Sequence, residues 1–160
     1  MFTVADIRDI AIQIEQNGEK AYRQASRMVA DPHIAELFVF MADEERRHAQ
    51  WFAALQSDKP LTEEQREIEE MGRGLLKEMI AGQTFSLEHE ELLRVESFEE
   101  MVRQSKSFEQ DTILFYQFIR GVLDDDEACR QIELIIAEEQ RHFELLAELK
   151  AAGDGLFVPV

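Results

Sequence analysis

The chain has 160 residues, with 17 Lys and Arg against 34 Asp and Glu for a formal charge of −17, and holds only 7 Gly, 3 Pro, 4 His and a single Cys. This length suits one compact domain that hides roughly two-thirds of its unfolded surface, and one Cys excludes an intrachain disulfide and any four-Cys zinc, rubredoxin-type or iron–sulfur site. The acidic excess argues against nucleic acid or an anionic membrane as partner, because both are gripped by Lys and Arg neutralising phosphates.

From Met1 to Asp6 no basic stretch precedes an apolar run, so no secretory signal is expected. No segment nears the roughly 20 apolar residues of a membrane span, and a cytoplasmic location is expected. Scarce Gly and Pro with abundant Glu, Leu, Ala, Gln and Met favour helix. Thr3 is the expected cap of a first helix over residues 3–29, whose inner stripe runs Ile7, Ile10/Ala11, Ile14, Gly18, Ala21, Ala25, Met28 in steps of three and four. Asp31-Pro32 supplies a cap and a first-turn proline, so a second helix over 32–57 follows, with the stripe Ile34, Phe38, Met41, Glu45, His48, Phe52, Leu55.

Residues 58–96 are too long for a hairpin loop, where roughly 2–8 residues suffice, so the chain is expected to cross the length of a bundle there. Thr62-Glu63-Glu64-Gln65 reads as a capping box opening a helical stretch within that crossover. A second capping box at Ser97-Phe98-Glu99-Glu100 opens a helix over 97–123, and Asp124 to Asp126 caps a last one over 125–151. The tail, 153–160, ends apolar and is expected to strap onto the bundle or a partner subunit. The expected fold is all-α: a ferritin-like four-helix bundle built from two helical hairpins, as a single domain over 1–160.

Adding 94 to a position in the first hairpin exposes an internal repeat: Glu15 meets Glu109, Tyr22 meets Tyr116, Asp31 meets Asp125, Glu44-Glu45 meets Glu138-Glu139, Arg47 meets Arg141 and His48 meets His142. Core positions rarely match, with Ile14 against Phe108 and Met41 against Ile135. Polar identity inside an apolar stripe needs a cause, because a buried unpaired carboxylate costs several kcal/mol or more. Glu45 with His48, and Glu139 with His142, lie three residues apart and project from one face of a helix. Glu15 and Glu109 sit near the middle of their helices at a matching level. Four Glu and two His in this arrangement form the constellation of di-iron and di-manganese carboxylate bundles. The hard oxygen donors suit Fe or Mn, with Zn as a possible substitute.

At these residues the sequence resembles the rubrerythrin branch of the ferritin-like superfamily. The matching pieces are Glu15-Gln16-Asn17-Gly18 with Tyr22, Asp43-Glu44-Glu45-Arg46-Arg47-His48, Phe108-Glu109-Gln110-Asp111 with Tyr116, and Ala137-Glu138-Glu139-Gln140-Arg141-His142, covering about residues 3–57 and 97–151. The resemblance implies two iron ions held by Glu15, Glu45, His48, Glu109, Glu139 and His142, with Glu45 and Glu139 bridging. It implies reduction of hydrogen peroxide or oxygen, in a homodimer or larger assembly. A ferroxidase or iron-handling protein without sustained turnover is one alternative, and a structural metal-binding bundle another.

Two departures stand out. Rubrerythrins proper carry a four-Cys rubredoxin domain, whereas this chain has only Cys129, so a separate rubredoxin-like electron donor is expected. Many also place a carboxylate one turn after the Glu of the third helix, where this sequence has Thr112, the repeat counterpart of Gly18. Tyr22 and Tyr116 are candidate catalytic residues of the surrounding shell, able to hydrogen-bond ligand carboxylates or to take part in redox steps. Glu44 and Glu138 either orient ligands or face solvent, and Arg47 and Arg141 are expected in outward salt bridges. His33 and His89 are assigned structural or surface roles, and Cys129 is read as a small core residue, with a resolving or redox thiol as the alternative.

Overall fold

Asp31 punctuates the first hairpin as its side chain dictates. It adopts an extended conformation, and its carboxylate accepts the N–H groups of His33 at 2.8 Å and Ile34 at 3.4 Å. Asp125 repeats the device on Glu127 and Ala128 at the same two distances. Each cap satisfies amide groups that the first helical turn leaves unpaired. The computed structural model describes residues 4–55, 98–123 and 125–149, with positions 62–64, 66–67, 70–71 and 74.

Four long helices carry the fold: α1 (Val4–Met28), α2 (Pro32–Ala54), α3 (Phe98–Val122) and α4 (Asp126–Leu149). The connections after α1 and α3 are short, so each pair folds back as an antiparallel hairpin. Helix α2 stops at Ala54, ahead of the expected residue 57, because Leu55 turns extended and returns its N–H to the Phe52 carbonyl at 3.1 Å. Within the crossover, the Arg66 N–H donates to the Thr62 carbonyl at 2.9 Å, and the described positions from 63 to 74 are helical. Thr3, Ser97, Asp124, His89, the remainder of 58–96 and the tail lie outside the described residues.

The apolar stripes meet in one core. Ile14, Ala21 and Met28 from α1, Phe38 and Phe52 from α2, Phe108 and Phe115 from α3, and Ile132 and Leu146 from α4 are all buried. Each fully buried aliphatic or aromatic side chain contributes about 1.5–3 kcal/mol, which is what holds four amphipathic helices together. Glu15, Glu45, His48, Glu109, Glu139 and His142 interrupt this core with no exposed surface at all. Among the described residues, no helix is long and apolar enough to cross a membrane.

Candidate metal centre

The core that hides six ionisable side chains also converges them. Glu15, Glu45, His48 and Glu139 each offer one donor atom, all within 4.8 Å of one another, and so do Glu45, Glu109, Glu139 and His142. Glu45 and Glu139 belong to both groups. Their geometry explains why: Glu139 turns Oε1 to His48 Nδ1 at 2.8 Å and Oε2 to His142 Nδ1 at 3.2 Å. Glu45 turns Oε1 to His142 Nδ1 at 3.1 Å, while its Oε2 faces Gly18 of α1. All six candidate ligands thus come to one place.

Several of these donors have no hydrogen bond. Glu15 Oε2, both oxygens of Glu45, Glu109 Oε2, Glu139 Oε2 and His142 Nδ1 are buried without one. Leaving a buried polar atom unpaired costs about 1–3 kcal/mol, and more when it is charged. A pair of divalent cations would satisfy these atoms together and neutralise the four carboxylates, so the donor set fits such ions.

Charge follows the same crowding. Burial, and then the neighbouring Glu139 charge, push the carboxyl groups of Glu15, Glu45 and Glu109 above the usual range. Burial acts on Glu139 in the same sense, but the close approach of the His142 ring and the hydrogen bond with His48 outweigh that and hold it well below. Burial opposes charge on His48, yet Glu138, Glu139 and Glu15 override it and push the pKa up to about 12. His142 is raised likewise against burial, by Glu109, Glu139 and Glu44. Cations need these groups deprotonated, so protons compete with metal. Loading the metal-free protein near pH 7 is therefore expected to release protons, and affinity should weaken from about pH 8 to about pH 6. Titration calorimetry in buffers of different ionisation enthalpy checks this; a buffer-independent heat with pH-independent affinity contradicts it.

The surrounding shell crosses between the hairpins. Tyr22 of α1 donates its hydroxyl to Glu109 of α3, and Tyr116 of α3 donates to Glu15 of α1. Burial and then the partner carboxylate push both phenols well above their ordinary pKa, so they remain protonated donors. Glu44 and Glu138, whose role the sequence left open, each meet the outer Nε2 of a histidine on the opposite hairpin: Glu44 to His142 at 2.6 Å and Glu138 to His48 at 2.9 Å. Such a contact fixes the ring and its tautomer. Arg47 forms its salt bridge to Glu138 and so joins this shell, whereas Arg141 lies 4.0 Å from Glu144 on the surface. His33 is exposed at the start of α2, and Cys129 is half-buried, with burial and Asp126 raising its thiol pKa against the opposing pull of Arg120, which favours the protonated thiol.

The role of Gly18 could not be read from spacing alone. A Cβ there would stand 2.7 Å from Glu45 Oε2 and 3.2 Å from Phe108 Cε1, so the missing side chain leaves room for the Glu45 carboxylate. Its counterpart Thr112 is buried, with its hydroxyl spent on the Phe108 carbonyl at 2.8 Å. Gly18→Ala is expected to push Glu45 aside and weaken metal binding about tenfold or more. The metal-free variant should unfold no earlier than the parent, because Ala is the better helix former and the carboxylate end can move. Equal affinity in a metal titration would contradict this role.

Comparison with known proteins agrees with the geometry. The model of the rubrerythrin family matches residues 6–150. A crystal structure from Thermotoga maritima, described as a candidate ferritin-like diiron-carboxylate protein, is similar with a TM-score of 0.66 at 24% identity, covering 94% of this chain and 95% of that one. At that identity the likeness speaks for the fold. No curated protein matches the chain.

Proposed function

Because this chain belongs to the rubrerythrin family, we propose that it is a non-haem di-iron oxidoreductase that reduces hydrogen peroxide, or oxygen, with electrons from a separate rubredoxin-like donor. The observation that carries this reading is the pair of overlapping donor groups that share Glu45 and Glu139 and bury six unpartnered atoms. Glu15 and His48 would help to hold one iron, Glu109 and His142 the other, and Glu45 and Glu139, which belong to both donor groups, would serve the two. Mn or Zn can take the same places. Bound iron supplies the reducing equivalents and Lewis acidity that the polypeptide lacks.

The side chains do the rest. Glu44 and Glu138 hold the two imidazoles so that Nδ1 faces inward. Tyr22 and Tyr116 pin one oxygen each of Glu109 and Glu15, leaving the other oxygen free for a cation. Phe38, Phe52, Phe108 and Phe115 keep bulk water from the centre. In balance, each peroxide takes up two electrons and two protons and leaves as two water molecules. The electrons come from the external donor.

The test is steady-state peroxide consumption by iron-loaded protein supplied with a rubredoxin-like donor and its reductase. Sustained turnover that disappears with Glu139→Ala supports the reading. A ferroxidase or iron-handling role is the second reading, favoured by Thr112, which places a hydroxyl already bonded to the backbone where many rubrerythrins have a further carboxylate. It expects iron uptake with one round of oxidation and no sustained consumption.

A further inference from the structure

The two halves of the centre share a donor pattern but differ in what lies behind it. The Glu138 oxygen that meets His48 Nε2 at 2.9 Å also takes the guanidinium of the half-exposed Arg47. Glu44 meets His142 Nε2 at 2.6 Å, and among the described residues no Lys or Arg pairs with Glu44. Arg141, the repeat counterpart of Arg47, points to Glu144 instead. The inner side is uneven in the same sense. His142 Nδ1 has carboxylate oxygens of Glu45, Glu139 and Glu109 at 3.1, 3.2 and 3.4 Å, whereas His48 Nδ1 has those of Glu139 and Glu15 at 2.8 and 3.5 Å.

An anionic partner on the outer N–H makes the inner nitrogen of an imidazole a stronger donor to metal. A guanidinium on the same carboxylate oxygen draws that charge away. His48 is therefore the weaker of the two imidazole donors, while each half offers three carboxylates, Glu45 and Glu139 being common to both. Resting on the reading of these six residues as a two-cation centre, we propose that the positions fill in order, that of Glu109 and His142 first and that of Glu15 and His48 second, with Arg47 setting the gap between them.

The experiment is an anaerobic titration of the metal-free full chain with Co(II), followed by visible absorption and by calorimetry. The parent should bind in two resolved events whose dissociation constants lie about tenfold apart. Arg47→Gln, at an exposed position that tolerates the change, should tighten the second event alone and narrow the gap about threefold or more. Glu138→Gln should weaken only the second event and Glu44→Gln only the first, each by about tenfold. A single event taking up both ions, a gap unchanged by Arg47→Gln, or a first event weakened by Glu138→Gln would overturn the order. Failure of the underlying reading looks different: the parent would take up less than one Co(II) per chain, with no ligand-field absorption to follow.

Discussion

Glu45→Gln is expected to lower iron content from about two ions per chain to less than one while the helical fold persists. Neither Glu45 oxygen has a hydrogen-bond partner in the polypeptide, so exchanging one for an amide breaks no hydrogen bond and alters only the 3.1 Å approach of Oε1 to His142 Nδ1. It also replaces a carboxyl group whose ionised form is disfavoured by burial and by Glu139, Glu15 and Glu109, which favours the metal-free fold. Metal binding, by contrast, loses a carboxylate shared by both donor groups. Substitutions one shell further out already cost about 10–100-fold in affinity, so loss of a shared ligand should exceed that range. Glu139→Ala should behave alike toward iron, but it also strips His48 and His142 of their common partner and should unfold earlier than Glu45→Gln. Quantitation of iron in protein produced in iron-rich medium checks both, and two ions retained in Glu45→Gln would contradict the assignment.

The second large effect is on stability. Polar links at the centre join opposite hairpins: Tyr22 to Glu109, Tyr116 to Glu15, His48 to Glu138 and Glu139, and His142 to Glu44. Without metal they must restrain four buried carboxyl groups, of which burial and the Glu139 charge push Glu15, Glu45 and Glu109 toward the protonated form. A ligand present at about a thousand times its dissociation constant stabilises the fold by about 4 kcal/mol. For a chain of this size each kcal/mol moves Tm by about 2–4 °C, so saturating Fe(II) or Co(II) should raise Tm by roughly 8–16 °C. Thermal unfolding of metal-free and loaded protein measures it. A bound metal with no change in Tm would mean that the unfolded chain holds it equally well, as scattered carboxylates would and a site built between the hairpins would not.

Much of this was legible in the sequence because two independent periodicities agree. The spacing of Ile14, Phe38, Phe108 and Ile132 with their neighbours gave the helices, and all four are buried. The offset of 94 then picked out Glu15, Glu45, His48 and their counterparts as polar residues where the stripe demands apolar ones. Asp31 and Asp125 announced both hairpin turns by a chemistry that is local to a few residues. What stayed illegible depends on how one helix is rotated against another. Glu44 precedes Glu45, yet it serves His142 on α4 rather than His48 on its own helix, and no pattern within α2 encodes that. The space that Gly18 leaves for Glu45 is likewise a property of the α1 and α2 interface, where a glycine on an apolar stripe otherwise reads as a mere helix weakener. The split between Arg47 and Arg141 is of the same kind, since their repeat positions are identical and only their neighbours differ.

Anomalous diffraction at the iron absorption edge, from crystals of the iron-loaded protein, tests the central claim most directly. The account predicts two iron peaks about 3.5–4 Å apart inside the bundle, one beside Glu15 and His48, the other beside Glu109 and His142, both in contact with Glu45 and Glu139. Iron found only at surface carboxylates, or no peak between the hairpins in protein that carries iron, would contradict it.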